Sequence, residues 1–418
     1  MTERSVRRVA VLAYHSSPLY EPGAGDAGGM TVYVRELARS LAARGISTDV
    51  FTRANSDAWL VTEISPGVRV VSVEAGPREP VDKEDLPGYL DDFIAGIKAF
   101  AISQRAVYDV VHSHYWQSGL AGLRIASAWA APLVHSHHTL ALVKNDFLAP
   151  GDTPEPQSRV EGEERVISGA DVLIASTDGE WEQLSCLYGA AHDRLKTIHP
   201  GVDHALFSPG DRRAARSSLG LEDEAVMLYV GRIQPLKGLD LAVLAFEELA
   251  AALERDALLI VVGGPSGAGG RAEFERLRGL ISERGLEERV RFAGPQPHDI
   301  LPLFYRAADV LAVCSHSESF GLSALEAQAC GTPVIGTAVG GLSYVVADGS
   351  SGFLLDSRDP SVFAGRAKML LTDESLHASF AHAAVARASM FSWDRMAESF
   401  HELYDCLVNE RAPEFCTC

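Results

Sequence analysis

Short apolar runs alternate with longer amphipathic stretches along the whole chain, the pattern of parallel α/β architecture. In the first half this predicts strands over Val9–Ala13, Ser47–Phe51, Val68–Val73, Val110–His112, Leu133–His135, Val172–Ala175 and Leu195–Ile198. Helical stretches separate most of them, as at Leu86–Phe100 and Glu161–Gly169, and another runs through Val32, Val34, Leu37, Ala38 and Leu41. Turn residues then cluster at His199-Pro200-Gly201-Val202-Asp203 and Ser208-Pro209-Gly210, and the alternation pauses. It restarts with strands predicted over Val226–Val230, Leu258–Val262, Val290–Phe292, Val310–Val313, Pro333–Gly336 and Gly352–Leu354.

The fold class that follows is α/β, with two Rossmann-like doubly wound domains facing across a cleft. The 418 residues exceed what one core usually organises, so two domains are the default. They are expected over 1–205 and 206–390, and a closing segment, 391–418, carries a helix from Trp393 to Asn409 that crosses back to the first domain. The tail from Arg411 to Cys418 is expected to fray. In such folds ligands sit outside the carboxyl ends of the strands.

Charge narrows the chemistry. The net charge of −19, from 37 basic and 56 acidic residues, argues against a nucleic-acid partner. Any phosphate must be held by a few focused cations and amides. The six cysteines (Cys186, Cys314, Cys330, Cys406, Cys416 and Cys418) show no zinc spacing and fit reduced thiols. A charged start, Thr2 to Arg8, runs straight into a strand, and no apolar run reaches membrane-spanning length. A cytoplasmic protein without a membrane partner is the expectation.

Three segments carry candidate chemistry. Gly25-Asp26-Ala27-Gly28-Gly29-Met30 lies after a strand and opens a helix, where glycines let amides approach an anion. Gly231-Arg232-Ile233-Gln234-Pro235-Leu236-Lys237-Gly238 follows another strand and enters another helix. Its two cations suit a diphosphate, Arg232 as a fork and Lys237 as a point charge. Ser317-Glu318-Ser319-Phe320-Gly321-Leu322, followed by Glu326, aims two carboxylates and the amides of Phe320 to Ser323 at one point. That combination takes sugar hydroxyls and phosphate together. Either carboxylate alone also reads as a helix-dipole or surface group. His112, His114, His135, His137 and His138 crowd two strand ends, but no cysteine or carboxylate completes a metal-ligand set.

Glu318-x7-Glu326, the Gly231-Arg232…Lys237 turn and His199-Pro200-Gly201-Val202-Asp203 resemble the retaining glycosyltransferases of family 4, with the GT-B fold. Further segments share the resemblance: Gly25 to Val34, His112 to Trp116, His138-Thr139-Leu140, Lys144-Asn145, Gly151 to Pro156 and Ser317 to Pro333. Within the family they look most like members that join N-acetylglucosamine to inositol 3-phosphate.

The resemblance implies a nucleotide-sugar co-substrate, a UDP-sugar first and a GDP-sugar second. No cofactor is required, and Mg²⁺ is compatible without being argued. Arg232 and Lys237 would hold the leaving diphosphate, Glu326 the ribose and Glu318 the transferred sugar. Gly28, Gly29, Phe320, Gly321 and Leu322 would complete the donor site, and His138 would touch the transferred sugar. His15, Thr31, Lys83, Tyr115, Thr139 and Arg159 would receive a small polar acceptor. Lys83, Tyr115, Thr139 and Arg159 would form a cationic, hydroxyl-rich pocket for an anion. A homodimer is implied by the same analogy.

One departure stands out: Thr31 occupies the position where the family motif Gly-Gly-Met-Asn has its asparagine. Gly341-Leu342-Ser343-Tyr344 and Gly179-Glu180-Trp181 also differ from the usual pattern. The alternative reading is a relative from antibiotic biosynthesis that glycosylates a small thiol such as ergothioneine, or an aminocyclitol. A sugar-nucleotide epimerase and a non-catalytic binding protein are the remaining classes.

Overall fold

The structure, a computed structural model, describes residues 5–23, 27–55, 61–267 and 269–410. Gly25 and Asp26 of the first glycine turn, Thr2 to Arg4 and the tail from Arg411 lie outside the described residues.

Two sheets organise the chain. The first is built from β1 (Arg8–Leu12), β2 (Ser47–Arg53), β3 (Val61–Ser65), β4 (Val68–Val73), β5 (Val110–His114), β6 (Leu133–Ser136), β7 (Val172–Ala175) and β8 (Leu195–Thr197). Their spatial order is β3-β4-β2-β1-β5-β6-β7-β8, parallel except for β3, which runs antiparallel to β4 at the edge. The second comprises β9 (Ala225–Val230), β10 (Ala257–Val262), β11 (Val290–Gly294), β12 (Val310–Val313), β13 (Val334–Thr337) and β14 (Gly352–Leu355). It is wholly parallel, in the order β11-β10-β9-β12-β13-β14. The order reverses between β1 and β5 and between β9 and β12, and doubly wound sheets open their ligand crevices at such points.

Strand periodicity sorts the core. Ala10 and Leu12 of β1 face Phe93, Ile94 and Ile97 of the helix Leu90–Ser103. Val9 and Val11 point the other way, to Val34, Leu37 and Leu41 of the helix Gly29–Ala43. Met396, Phe400 and Tyr404 of the helix Trp393–Glu410 join that second layer, packed with Val9, Val11 and Leu37. The outgoing and returning connections touch at Gly201, where a Cβ would lie 2.1 Å from the backbone of Ser392 and Trp393. Val202 and Ser392 form a parallel bridge beside it.

Three local readings change. Strand β3 was not predicted. The helix expected over Leu86–Phe100 is a 3-10 turn, Leu86–Tyr89, followed by the helix Leu90–Ser103, because Pro87 and Gly88 break the ladder. The helix expected from Glu161 begins at Gln157, directly after Pro156.

Candidate functional site

A cavity of about 1560 Å³ opens between the carboxyl ends of the two sheets. The first domain contributes the loops after β1, β5 and β6; the second contributes those after β9 and β12. Of the sixteen residue positions singled out in the sequence, Thr31 alone is not among its lining.

On the second-domain side, Arg232 reaches across to the first domain. A Cβ on Gly28 would stand 3.4 Å from Arg232 Nε, and one on Gly29 would stand 3.4 Å from Leu322 Cδ1. The glycine pair thus lets the start of the helix Gly29–Ala43 close on this loop. Lys237 Nζ donates to Glu318 Oε2 at 2.6 Å, and Ser315 Oγ donates to the same oxygen at 3.2 Å. The Glu318 loop is held from behind by Gly340, whose φ is +49° and whose Cβ would come 2.1 Å from Glu318 O. Gly321, at φ +97°, caps the helix Leu322–Ala329, leaving its first amides facing the cavity. Both oxygens of Glu326 are engaged: Tyr305 Oη donates to Oε2 at 2.8 Å and His298 Nε2 lies 2.8 Å from Oε1. Burial opposes the charged form of His298, but the charge and hydrogen bond of Glu326 outweigh it and raise the imidazole pKa.

On the first-domain side, Tyr115 sits at φ +72° and His138 at φ +62°, sparsely populated conformations for such residues. The Arg159 guanidinium lies 4.9 Å over the Tyr115 ring, and the His15 ring packs 4.5 Å from the same Tyr115 ring. Arg159 Nη2 donates to Thr139 O at 3.1 Å and to Thr139 Oγ1 at 2.9 Å. Lys83 lines the same wall. His15 is held neutral first by burial and then by the positive charges of Lys83, Arg159 and Arg232, so those three cations face one place. Burial brings His138 down to about 3, and its Nε2 lies 2.9 Å from His114 Nδ1.

Two expectations need correcting. Thr31 is fully buried and shares a 2.8 Å hydrogen bond with Ser16 Oγ, so the cavity meets Ser16 and not Thr31. Its backbone position, at the inner side of the first helical turn, turns the short side chain into the core. The pocket around Arg159 is also less cationic than its sequence implied. Glu163 Oε1 accepts from Arg159 Nε at 2.8 Å, Glu155 Oε2 lies 2.8 Å from Arg159 Nη1, and Glu155 also pairs with Lys144. Glu155 and Glu163 went unread because their partners are brought together only by the i, i+4 faces of one helix and its preceding loop.

Glu180 is a further cavity-lining carboxylate that the sequence did not single out as a site residue. Thr177 Oγ1 caps its helix by accepting from Glu180 N at 3.1 Å, and Glu180 Oε2 reaches back to accept from Ser176 N, one residue before the cap, at 2.6 Å. Burial raises its pKa to about 7, with the Ser176 hydrogen bonds working against the rise. A raised carboxyl pKa means that the folded state holds the proton more tightly than the unfolded chain. Stability is therefore full below the unfolded value and declines as pH rises through about 7. Glu180→Gln keeps the acceptor and removes the charge. Its thermal midpoint should exceed that of the parent at pH 8, by the equivalent of roughly 2–3 kcal/mol, and approach it at about pH 4, below the unfolded value. Equal offsets at both pH values would contradict the assignment.

The comparisons with known proteins cover both halves of the chain. The family described as Glycosyl transferase 4-like domain matches residues 28–201, and that described as Glycosyl transferases group 1 matches residues 211–387. A D-inositol 3-phosphate glycosyltransferase of Acidothermus cellulolyticus is 50% identical over 411 residues, covering 97% of this chain and 91% of that one. Its counterpart in Actinosynnema mirum is 50% identical over 408 residues, covering 96% and 97%. Among solved structures, a sucrose-phosphate synthase of Thermosynechococcus elongatus superposes with a TM-score of 0.89 at 32% identity, covering 96% of this chain and 99% of that one. Anabaena Alr3699/HepE in complex with UDP-glucose shares the fold, with a TM-score of 0.75 at 20% identity over 96% and 99%.

Proposed function

Because the chain belongs to the group 1 glycosyltransferases with a 4-like N-terminal domain, and is such an enzyme, we propose that it transfers N-acetylglucosamine from UDP-N-acetylglucosamine to inositol 3-phosphate. Its relatives at 47–50% identity carry the name D-inositol 3-phosphate glycosyltransferase. The observation that carries the reading is the meeting of Arg232 with the Gly28 turn at facing switch points, in the cavity that Lys237 also lines.

In this reading Arg232, Lys237 and the first amides of the helix Leu322–Ala329 hold the diphosphate. Glu326 takes the ribose hydroxyls, and Glu318 and His138 take the transferred sugar. The acceptor lies among His15, Lys83, Tyr115, Thr139 and Arg159. The acceptor oxygen attacks the anomeric carbon on the face the diphosphate leaves, through an oxocarbenium-like state. The departing phosphate oxygen takes the acceptor proton, and retention follows. No carboxylate need act as covalent nucleophile, unlike the retaining hydrolases. Stabilising negative charge on the leaving group is the largest single contribution. Neutral His138 suits a donor or acceptor of hydrogen bonds to a sugar hydroxyl, since protonating it at neutral pH would oppose its burial.

Glu155 and Glu163 hold Arg159 in place, so Lys83 and the hydroxyls of Tyr115 and Thr139 meet the acceptor's phosphate beside a guanidinium already oriented. Ser16 takes the contact that the family's asparagine would make, with Thr31 behind it. Among the described residues no helix is long and apolar enough to cross a membrane; a cytoplasmic enzyme and a homodimer belong to the same reading.

The test offers the enzyme UDP- and GDP-N-acetylglucosamine with inositol 3-phosphate, an aminocyclitol or ergothioneine, and follows products by mass spectrometry. Product is expected from the UDP donor and inositol 3-phosphate. Product from the thiol or aminocyclitol, with none from inositol 3-phosphate, would overturn the acceptor assignment and favour the antibiotic-pathway reading.

A further inference from the structure

A polar chain links the carboxylate on the ribose side of the cavity to the opposite domain. Arg35, on the helix Gly29–Ala43, places Nη2 3.3 Å from His298 Nδ1, and His298 Nε2 lies 2.8 Å from Glu326 Oε1. The chain is built rather than casual. Glu36 Oε1 accepts from Arg35 Nε at 3.2 Å and from Arg39 Nη1 at 3.1 Å, which aims the guanidinium. The His298 ring packs 5.0 Å from that of Phe207, and Tyr305 fixes the other oxygen of Glu326. The side chains of Arg35 and His298 are only 14% and 12% exposed, so water competes weakly for these bonds.

The donor inventory orients the whole chain. A guanidinium has N–H donors and no acceptor, so the 3.3 Å contact is a hydrogen bond while His298 is neutral, with Arg35 donating and Nδ1 accepting. The imidazole proton then sits on Nε2 and is donated to Glu326. With Tyr305 donating to Oε2, both oxygens are held, and each has a second lone pair that can accept from a hydroxyl.

We propose that Arg35 and His298 are positioning residues, through which contact between the two domains locks Glu326 in the orientation that captures the nucleotide's ribose. Arg35 comes from one domain and His298 and Glu326 from the other, so the lock forms only where the domains meet. Nucleotide affinity is thereby tied to closure, by a residue that never touches the nucleotide. The inference rests on the reading of Glu326 as the ribose ligand.

Isothermal titration of UDP against Glu326→Ala, Arg35→Ala, His298→Ala and His298→Gln separates the two. Glu326→Ala should weaken UDP by tenfold or more, on the order of a charged hydrogen bond. Arg35→Ala and His298→Ala should each weaken it roughly three- to tenfold, and their combination should be no worse than the poorer single variant. His298→Gln can accept from Arg35 and donate to Glu326, so it should recover most of the affinity. A role in packing against Phe207 alone would not be rescued in this way. In steady state the donor KM should rise while the acceptor KM holds. Unchanged UDP affinity in Arg35→Ala and His298→Ala, alongside a weakened Glu326→Ala, overturns the lock and leaves the ribose reading standing. Unchanged affinity in Glu326→Ala overturns the ribose reading itself.

Discussion

Lys237→Ala is expected to lower kcat by roughly 10²–10³, the scale of removing one preorganised charge from the developing anion. Its ammonium sits 2.6 Å from Glu318 and beside the Arg232 loop, where the proposed diphosphate would lie. Truncation has two consequences that add. The leaving group loses a point charge, and Glu318 loses its neutralising partner and is left to repel the same phosphates. The acceptor KM should change little, because His15, Lys83 and Arg159 line the other wall. Nucleoside diphosphate release at saturating donor and acceptor reads the effect. Turnover within threefold of the parent would remove Lys237 from the chemistry. Glu318→Gln should also be impaired, but less in kcat, since Lys237 would then be free to turn to phosphate.

The second large effect is on stability. Phe400→Ala should cost about 3–5 kcal/mol, the usual range for emptying a fully buried aromatic site. Phe400 has no exposed surface, and its ring lies 5.0 Å from His112 and 5.7 Å from Tyr404. That position is more than a packing site. Tyr404 Oη meets His112 Nδ1 at 2.7 Å, and His112 Nε2 meets Ser136 Oγ at 2.9 Å. Loosening the helix Trp393–Glu410 would therefore leave a buried imidazole in the middle of β5 without one of its partners. Urea unfolding monitored by circular dichroism measures the loss, and Phe400→Leu should show a smaller one. A change under about 1 kcal/mol would mean that the helix is not part of the first domain's core.

Much of this architecture was legible because parallel α/β strands are buried on both faces and read as unbroken apolar runs. Val172–Ala175 and Val310–Val313 were read with the bounds the structure gives them. Strand β3 was not, since Val61–Ser65 is a half-exposed edge with Thr62 and Glu63 in it, and its pairing runs against the pattern of the sheet. The helix starts at Gln157 and Leu90 were misplaced because Pro156 and Pro87 act on backbone geometry rather than on hydrophobic period.

The same division holds in the cavity. Gly28, Arg232, Lys237, Glu318 and Glu326 were found because each lies at a strand-to-helix junction, where local sequence carries the signal. Arg35 and His298 lie 263 positions apart and make one hydrogen bond. No window along the chain contains both. Glu155 and Glu163 were given no role, and the structure places Arg159 between them. Thr31 failed in the opposite direction: its motif position was clear, but whether it or Ser16 faces the cavity depends on the turn of the helix.

The helix that starts at Trp393 has a consequence for how the molecule is made. It is translated after the whole second domain, yet it covers Val9, Val11, Val34 and Leu37, which are made before that domain. That apolar layer must wait, open to water or to a chaperone, while some two hundred later residues are synthesised and folded beside it. A helix made after the second domain is what seals the core of the first.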